Sequence, residues 1–600
     1  MFQTFEVTAR PEQGPPRLAA LRAEMARAGV DGFLVPRADA WQGEYVAECD
    51  ARLAWLTGFT GSAGFAVVLR DKAGVFVDGR YRVQVRQQVA DVFTPVNWPE
   101  VKLADWLIAE MPGGRVVGYD PWLHTVDEVE KLEKALAGKG IALRAEGNLV
   151  DRIWTDRPAP PDAPFSAWPD EHAGESHAEK RKRLAAGLAA EGVTAAVITL
   201  PDSIAWLLNI RGADVRHNPV PQAFVVLHAD GTCDLFARAG KAEGLAAHLG
   251  DGVRLRDEGA FLDAVAALAG PVRVDAGHAP RIVADRLTAA GVEMRRGVDP
   301  CLMPKACKNA VEIAGTRAAH LRDGAAMVEF LAWLDAQEPG EHLTKIRVVR
   351  ALESFRRATN ALKDISFETI CGAGPHGAVI HYRVTEATDR PLEPGELLLI
   401  DSGGQYVDGT TDITRTVVLG EVPPDGAAEA FTRVLKGMVG ISRLRFPKGI
   451  AGGHIDVVAR MALWEAGLDY DHGTGHGVGV YLSVHEGPQR ISRVSDVVLE
   501  PGMILSNEPG YYREGHWGIR IENLIVVREA DPVPGGDARV WRDFETLTWV
   551  PIDRRLIVPG MLTGAERGWI DAYHAGVLDR IGPRVEGATR AWLERACAPL

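Results

Sequence analysis

Cysteine is scarce. The 600 residues contain six, Cys49, Cys233, Cys301, Cys307, Cys371 and Cys597, widely scattered and with no Cys-x-x-Cys pair. That spacing excludes a disulfide framework or a cysteine zinc cage and fits reduced thiols. Long apolar runs are also missing, so no segment reads as a membrane span. Met1–Pro16 mixes polar residues, acids and prolines without an apolar core. No signal peptide is therefore expected, and the expected compartment is the cytoplasm. Excess positive charge is lacking too: 67 Lys and Arg against 81 Asp and Glu leave a net charge of −14. Nucleic acid and anionic membrane are thus not expected partners. There is no low-complexity segment.

What is present is the composition of an ordinary globular protein, at a length that calls for several domains. Leu18, Leu21, Met25 and Ala28 recur at helical spacing before Gly29, and Asp31–Val35 reads as a strand. The pattern then returns. His177–Glu191 reads as a helix stopped by Gly192, and Ala195–Leu200 as a strand. Ser203–Leu208 resembles the earlier segment around Trp55-Leu56. The expected fold is α/β (α+β), with domains at 1–157, 158–303 and 304–600. The second is read as a duplicate of the first, and Leu562–Leu600 as a helical tail on the third. A long helical pattern opens the third domain at Asn309.

The chemistry lies in that third domain. The apolar run Leu397–Ile400 ends on Asp401, and Asp412 opens the β-type run Ile413–Leu419. A reversal near Tyr406–Val407 would set the two acids opposite each other, with Asp408-Gly409 suggesting a long or bulged turn. A second pair, Glu508 and Glu522, is equidistant from Gly515. Between the pairs lies His472–Gly479, whose four glycines in eight residues exclude a stable helix and imply a backbone in close contact with something. His485-Glu486-Gly487-Pro488 follows, and His381 precedes Tyr382-Arg383 upstream. Singly, each acid passes for a turn former. Together, two opposed acid pairs stay ionised only around cations.

These segments resemble those of the creatinase/methionine-aminopeptidase pita-bread family, and within it the long three-domain Xaa-Pro aminopeptidases. The resemblance rests on His381-Tyr382, Asp401–Tyr406, Thr411–Thr416, His472–Gly479, His485–Pro488, Asn507–Tyr512 and Gly518–Asn523. Ser62–Gly64 and Asp78–Tyr81 add to it in the first domain. Val384 stands where many relatives carry proline. The resemblance implies five metal ligands, Asp401, Asp412, His476, Glu508 and Glu522. It implies catalytic or substrate-contacting histidines at His381, His472 and His485, with Glu508 handling the water proton. Arg80 and Arg520 complete the expected substrate contacts.

Four carboxylates and an imidazole suit Mn²⁺ and could admit Co²⁺ or Zn²⁺. Five such ligands fit two ions about 3.5 Å apart. The expected activity is release of an N-terminal residue that precedes proline, by attack of a dimetal-bridging hydroxide. The expected partner is an Xaa-Pro peptide, and the expected assembly a homodimer. The alternatives are an Xaa-Pro dipeptidase (prolidase) or a non-catalytic pita-bread binding protein.

Overall fold

The computed structural model describes residues 1–600. They form two compact units, one of Thr8–Leu302 and one of Met303–Leu600 together with Met1–Val7.

The unit Thr8–Leu302 contains one sheet built twice. Its first sheet runs in the order Thr94–Asn97, Ala73–Val77, Phe65–Leu69, Gly32–Pro36, Arg115–Tyr119, Ile141–Ala145. The second runs Val253–Asp257, Cys233–Ala237, Phe224–His228, Ala195–Ile198, Val272–Val274, Met294–Arg296. Position by position the two share three antiparallel central strands with parallel strands outside them. The repeated tryptophan segments are the helices Arg52–Thr57 and Pro201–Leu208. Each ends on a left-handed residue, Gly58 at φ 87° and Asn209 at φ 49°, the two residue types that adopt this conformation most readily. Trp41 of the first copy stacks on Phe224 of the second, with centroids 5.4 Å apart, and lies in the second copy's core.

In the other unit the first long helix is Ala310–Asp335. Asn309 caps it in a reciprocal box with Glu312, while Met327, Phe330, Leu331 and Leu334 are buried. Val311, in its first turn, is exposed instead. The site rests on two groups of strands. Leu397–Ser402 lies between Ile370–Ala373 and Ile413–Val418. In a six-stranded sheet, Ile504–Asn507 lies between Asn523–Glu529 and Gly475–Gly477. The tail forms the helices Gly564–Ile581 and Gly587–Ala596. Ile570, Val577, Ile581 and Leu593 pack into the same core as Val434 and Leu435.

One segment differs from the sequence reading. Met1–Val7, assigned there to the first domain, packs with the C-terminal unit. Phe5 is buried in that unit's core beside Tyr382, Val384 and Ile400.

Candidate metal centre

Two hairpins carry the acids. In the first, one register holds from Leu397 opposite Val418 to Tyr406 opposite Gly409. The turn is therefore Val407–Asp408, tight and without a bulge. Arg322 fixes it, with Nη1 and Nη2 donating to the Asp408 carboxylate at 3.0 and 2.9 Å. This corrects the expected reversal. Asp401 lies opposite Thr414 rather than Asp412. The offset is two residues, a whole pleat, so both acids keep the same face.

In the second hairpin, Ile504–Asn507 pairs with Asn523–Val526, and Gly510–Arg513 with Trp517–Arg520, in a single register centred on Gly515. Glu508 and Glu522 face each other in the gap between these ladders. The hairpins dock through Thr416 Oγ1, which donates to Arg520 O at 2.9 Å, and through Glu522 N, which donates to Thr414 O at 3.2 Å.

The glycines around His476 are explained by crowding. A Cβ on Gly475 would stand 1.9 Å from Ser506 O, and one on Gly477 2.4 Å from Glu486 O. The strand Gly475–Gly477 thus runs too close to its neighbours for side chains on either flank of His476. The His476 amide donates to Ser506 Oγ at 2.9 Å, and its Nδ1 lies 2.9 Å from Gly477 O. With Nδ1 donating there, Nε2 is the nitrogen whose lone pair a metal ion would take once the ring is neutral. It faces the acids, 3.5 Å from Asp412 Oδ2 and 3.4 Å from Glu508 Oε1.

The ligand atoms of Asp412, His476 and Glu522 lie within 4.8 Å of one another. Thr414 Oγ1 donates to Glu522 Oε2 at 2.8 Å, and Ser506 Oγ to Glu508 Oε1 at 3.0 Å. Arg520 pairs with Asp401 and approaches Glu508 Oε2 to 4.0 Å. Asp401 Oδ1 and Glu522 Oε1 are buried and accept no hydrogen bond. Burial raises the Asp401 pKa to about 7 despite Arg520, with Asp412 and Glu508 adding to the rise. Burial also lifts Glu508 against the pull of His476. Glu522 is driven far above the carboxylate range by burial and by Asp412, Glu508 and Asp401. Burial alone would lower His476, but Asp412 and Glu508 outweigh it and raise the pKa to about 9. Arg520 and the protonated His476 thus face four acids, two of whose buried oxygens are orphaned. Negative charge still exceeds positive in the cluster, and hard divalent cations fit its donors.

The histidines stand around this cluster. The His485 ring lies 4.2 Å from that of His476, edge to face. His472 Nε2 is 2.9 Å from Tyr512 OH, which also accepts from Arg520 Nη1 at 2.7 Å. His381 is half-buried, in the turn that follows the short helix Gly374–Ala378. The preceding carbonyl, Ile380 O, accepts from Arg520 at 3.4 Å. Arg520, expected among the substrate contacts, is buried, and its guanidinium is taken up by Asp401, Tyr512 and Ile380. Arg80, in the other unit, pairs with Asp78 at 2.8 Å.

Sequence reasoning missed Thr414, Ser506 and Tyr512. The signal for the first two was their spacing: each sits two residues from an acid, on the same strand face.

Family models match most of the chain. The creatinase/prolidase N-terminal domain matches twice, at residues 17–153 and 156–312. Metallopeptidase family M24 matches residues 314–529, and the C-terminal region of peptidase M24 residues 540–600. A probable Xaa-Pro aminopeptidase P of Aspergillus fumigatus is 38% identical, across 97% of this chain and 92% of its own length. One from Coccidioides posadasii is 40% identical over 99% and 95%. The crystal structure of the X-prolyl aminopeptidase of Caenorhabditis elegans, a cytosolic enzyme with a di-nuclear active site, aligns with a TM-score of 0.92 at 33% identity. It covers 98% of this chain and 99% of that one. The fold is therefore two creatinase-type N-terminal domains followed by a pita-bread domain, and the chain belongs to the Xaa-Pro aminopeptidase P family of M24 metallopeptidases.

Proposed function

We propose that this chain is a metal-dependent aminopeptidase that releases the N-terminal residue of peptides with proline in second position. The observation that carries the reading is the grouping of Asp412, His476 and Glu522, with Glu508 beside His476, Asp401 joined to Glu508 through Arg520, and buried oxygens of Asp401 and Glu522 left without donors. Those five residues would hold two divalent ions, and manganese best suits so oxygen-rich a set. When bound, such a pair neutralises the acids, acidifies a water and draws charge from the scissile carbonyl.

The remaining work belongs to the side chains. Ser506 Oγ fixes one oxygen of Glu508, so the carboxylate is oriented to take the water proton and carry it to the leaving proline nitrogen. His472, steadied by Tyr512, or His485 beside His476, donates to the oxyanion that forms on the carbonyl. His381 positions the peptide. Arg520 holds Asp401 in place and opposes its protonation. Arg80 is proposed as a substrate contact from the first domain. Proline's tertiary amide offers no N–H, so selection for it reads ring shape. The setting proposed is the cytoplasm, and the assembly a homodimer.

The test is hydrolysis of a short Xaa-Pro peptide panel by metal-free protein refilled with Mn²⁺, Zn²⁺ or Co²⁺. The expected result is no turnover without metal and the fastest turnover with Mn²⁺. Undiminished cleavage by the metal-free protein overturns the reading. A dipeptidase would cleave Xaa-Pro but not Xaa-Pro-Yaa-Zaa, whereas this chain is expected to cleave the longer peptide.

A further inference from the structure

We propose that Phe2–Glu6 form a positioning strap that holds the segment Ile380–Asp389, and through it His381, in working geometry. The inference rests on the role given to His381 in the proposed function.

The segment has no ladder of its own. Residues 382–385 are irregular, and the nearest regular elements are the short helix Gly374–Ala378 and the strand that begins at Leu397. Such a stretch keeps one geometry only if its backbone and side chains are held from outside.

One hold is internal to the domain. Lys345 Nζ donates to Tyr382 OH at 2.9 Å, lies 2.6 Å from His376 Nδ1, and reaches Thr388 O. The His376 and Tyr382 rings stack, with centroids 4.6 Å apart.

The strap supplies the other hold. Glu386 N donates to Phe5 O at 2.8 Å. Arg383 lies two residues past His381. Its Nη1 donates to Glu6 O at 2.7 Å, its Nη2 to Thr4 O at 2.8 Å, and its Nε to Glu368. The Phe5 ring is buried with Tyr382 and Val384 from the segment itself.

The strap also touches the start of the strand that pairs beside Asp401. The Gln3 side chain binds the Thr369 backbone at two points: its Oε1 accepts from Thr369 N at 2.8 Å and its Nε2 donates to Thr369 O at 3.3 Å. The next residue, Ile370, lies opposite Asp401. Phe2 N donates to both oxygens of the buried Glu353 at 3.0 Å, anchoring the strap's start to the helix Lys345–Ala358, which also carries Lys345. One short stretch of chain thus touches the His381 segment, the strand beside Asp401 and the helix behind both. Catalytic placement is sensitive to shifts of about 1 Å, which can cost about a hundredfold in rate.

The experiment is a double-mutant cycle on the full-length, metal-loaded protein. Phe5→Ala and Gln3→Ala are each made in the native chain and with His381→Ala, and Phe5→Leu serves as the conservative control. Readouts are kcat and KM on an Xaa-Pro-Yaa peptide, with hydrogen exchange of the Glu386 amide. Expected are a fall in kcat of about tenfold or more with KM little changed, faster exchange at Glu386, and recovery in Phe5→Leu. In the His381→Ala background the same strap changes should cost less than about twofold.

Equal losses in both backgrounds would mean general loosening and overturn the proposal. So would native kcat in both strap variants alongside a damaged His381→Ala. If His381→Ala itself turns over at the native rate, the role of His381 falls, and the strap proposal with it. Should Phe5→Ala fail to fold, Gln3→Ala alone completes the cycle, since it removes two hydrogen bonds and little packing.

Discussion

Glu508 faces Glu522 across a gap between two ladders that share one register. Neither ladder pairs the backbone at that point, and the two carboxylates meet there with burial raising both pKa values. Glu522 should therefore respond in opposite senses to one substitution. Glu522→Gln is expected to lower the turnover of metal-loaded protein well over tenfold, because a ligand is lost. In metal-free protein it should raise stability by about 1–3 kcal/mol, because a neutral amide is less costly to bury beside other acids. Thermal melts with and without chelator check both signs.

Gly475→Ala should damage the site without touching a functional group. The added methyl meets the Ser506 carbonyl at 1.9 Å, so either the His476 strand or its neighbour must move. The expected cost is about 1–3 kcal/mol of stability, with a larger proportional loss of kcat than of fold. Activity measured per folded molecule, after a denaturant titration, separates the two.

Acid should unfold this protein partly through His574. The residue is fully buried, its Nε2 accepts from Ile552 N at 3.1 Å, and burial together with Arg554 and Arg415 lowers its pKa to about 4. The neutral ring is thus the folded form. Its contribution is complete above the ordinary value near 6.5 and is lost as pH falls from there to about 4, amounting to about 3 kcal/mol. Melting temperature followed from pH 7 to 4 should fall less steeply in His574→Gln. An unchanged slope would refute this.

Arg356 and Asp323 form a buried pair behind the first hairpin at 2.8 Å, and Tyr406 OH donates to the same carboxylate at 2.7 Å. Arg356→Met should cost about 3–5 kcal/mol, since it strands Asp323 without a counter-charge. Adding Asp323→Asn should restore part of that loss. Chemical denaturation of the single and double variants tests the order.

The second acid pair was readable in the sequence because its turn is symmetric and marked by Gly515. The first was misplaced by two residues. The reversal was expected near Tyr406–Val407, so as to set the acids opposite each other; it falls one residue later, at Val407–Asp408, toward the Asp408-Gly409 signal and where Arg322, distant in sequence, holds Asp408. Only the period of the pleat kept Asp401 and Asp412 on one face. The duplication was visible because both copies repeat a tryptophan helix with a left-handed stop. The packing of Phe5 beside Val384 was not, since no local pattern ties seven opening residues to a domain three hundred positions away. Arg520 was seen, but its direction toward Asp401 depends on how two hairpins dock, which neither hairpin's own sequence states.

The tip of the second hairpin offers a practical handle. Glu514, Gly515 and His516 are exposed, and a Cβ added to Gly515 would touch nothing within 4 Å. Gly515 stands seven positions beyond Glu508, about 20 Å at the usual rise of extended chain. A fluorophore or short affinity peptide grafted there would report on the same rigid arm that carries half of the acids, while standing clear of them. The Val407–Asp408 tip, tethered by Arg322, does not lend itself to that use.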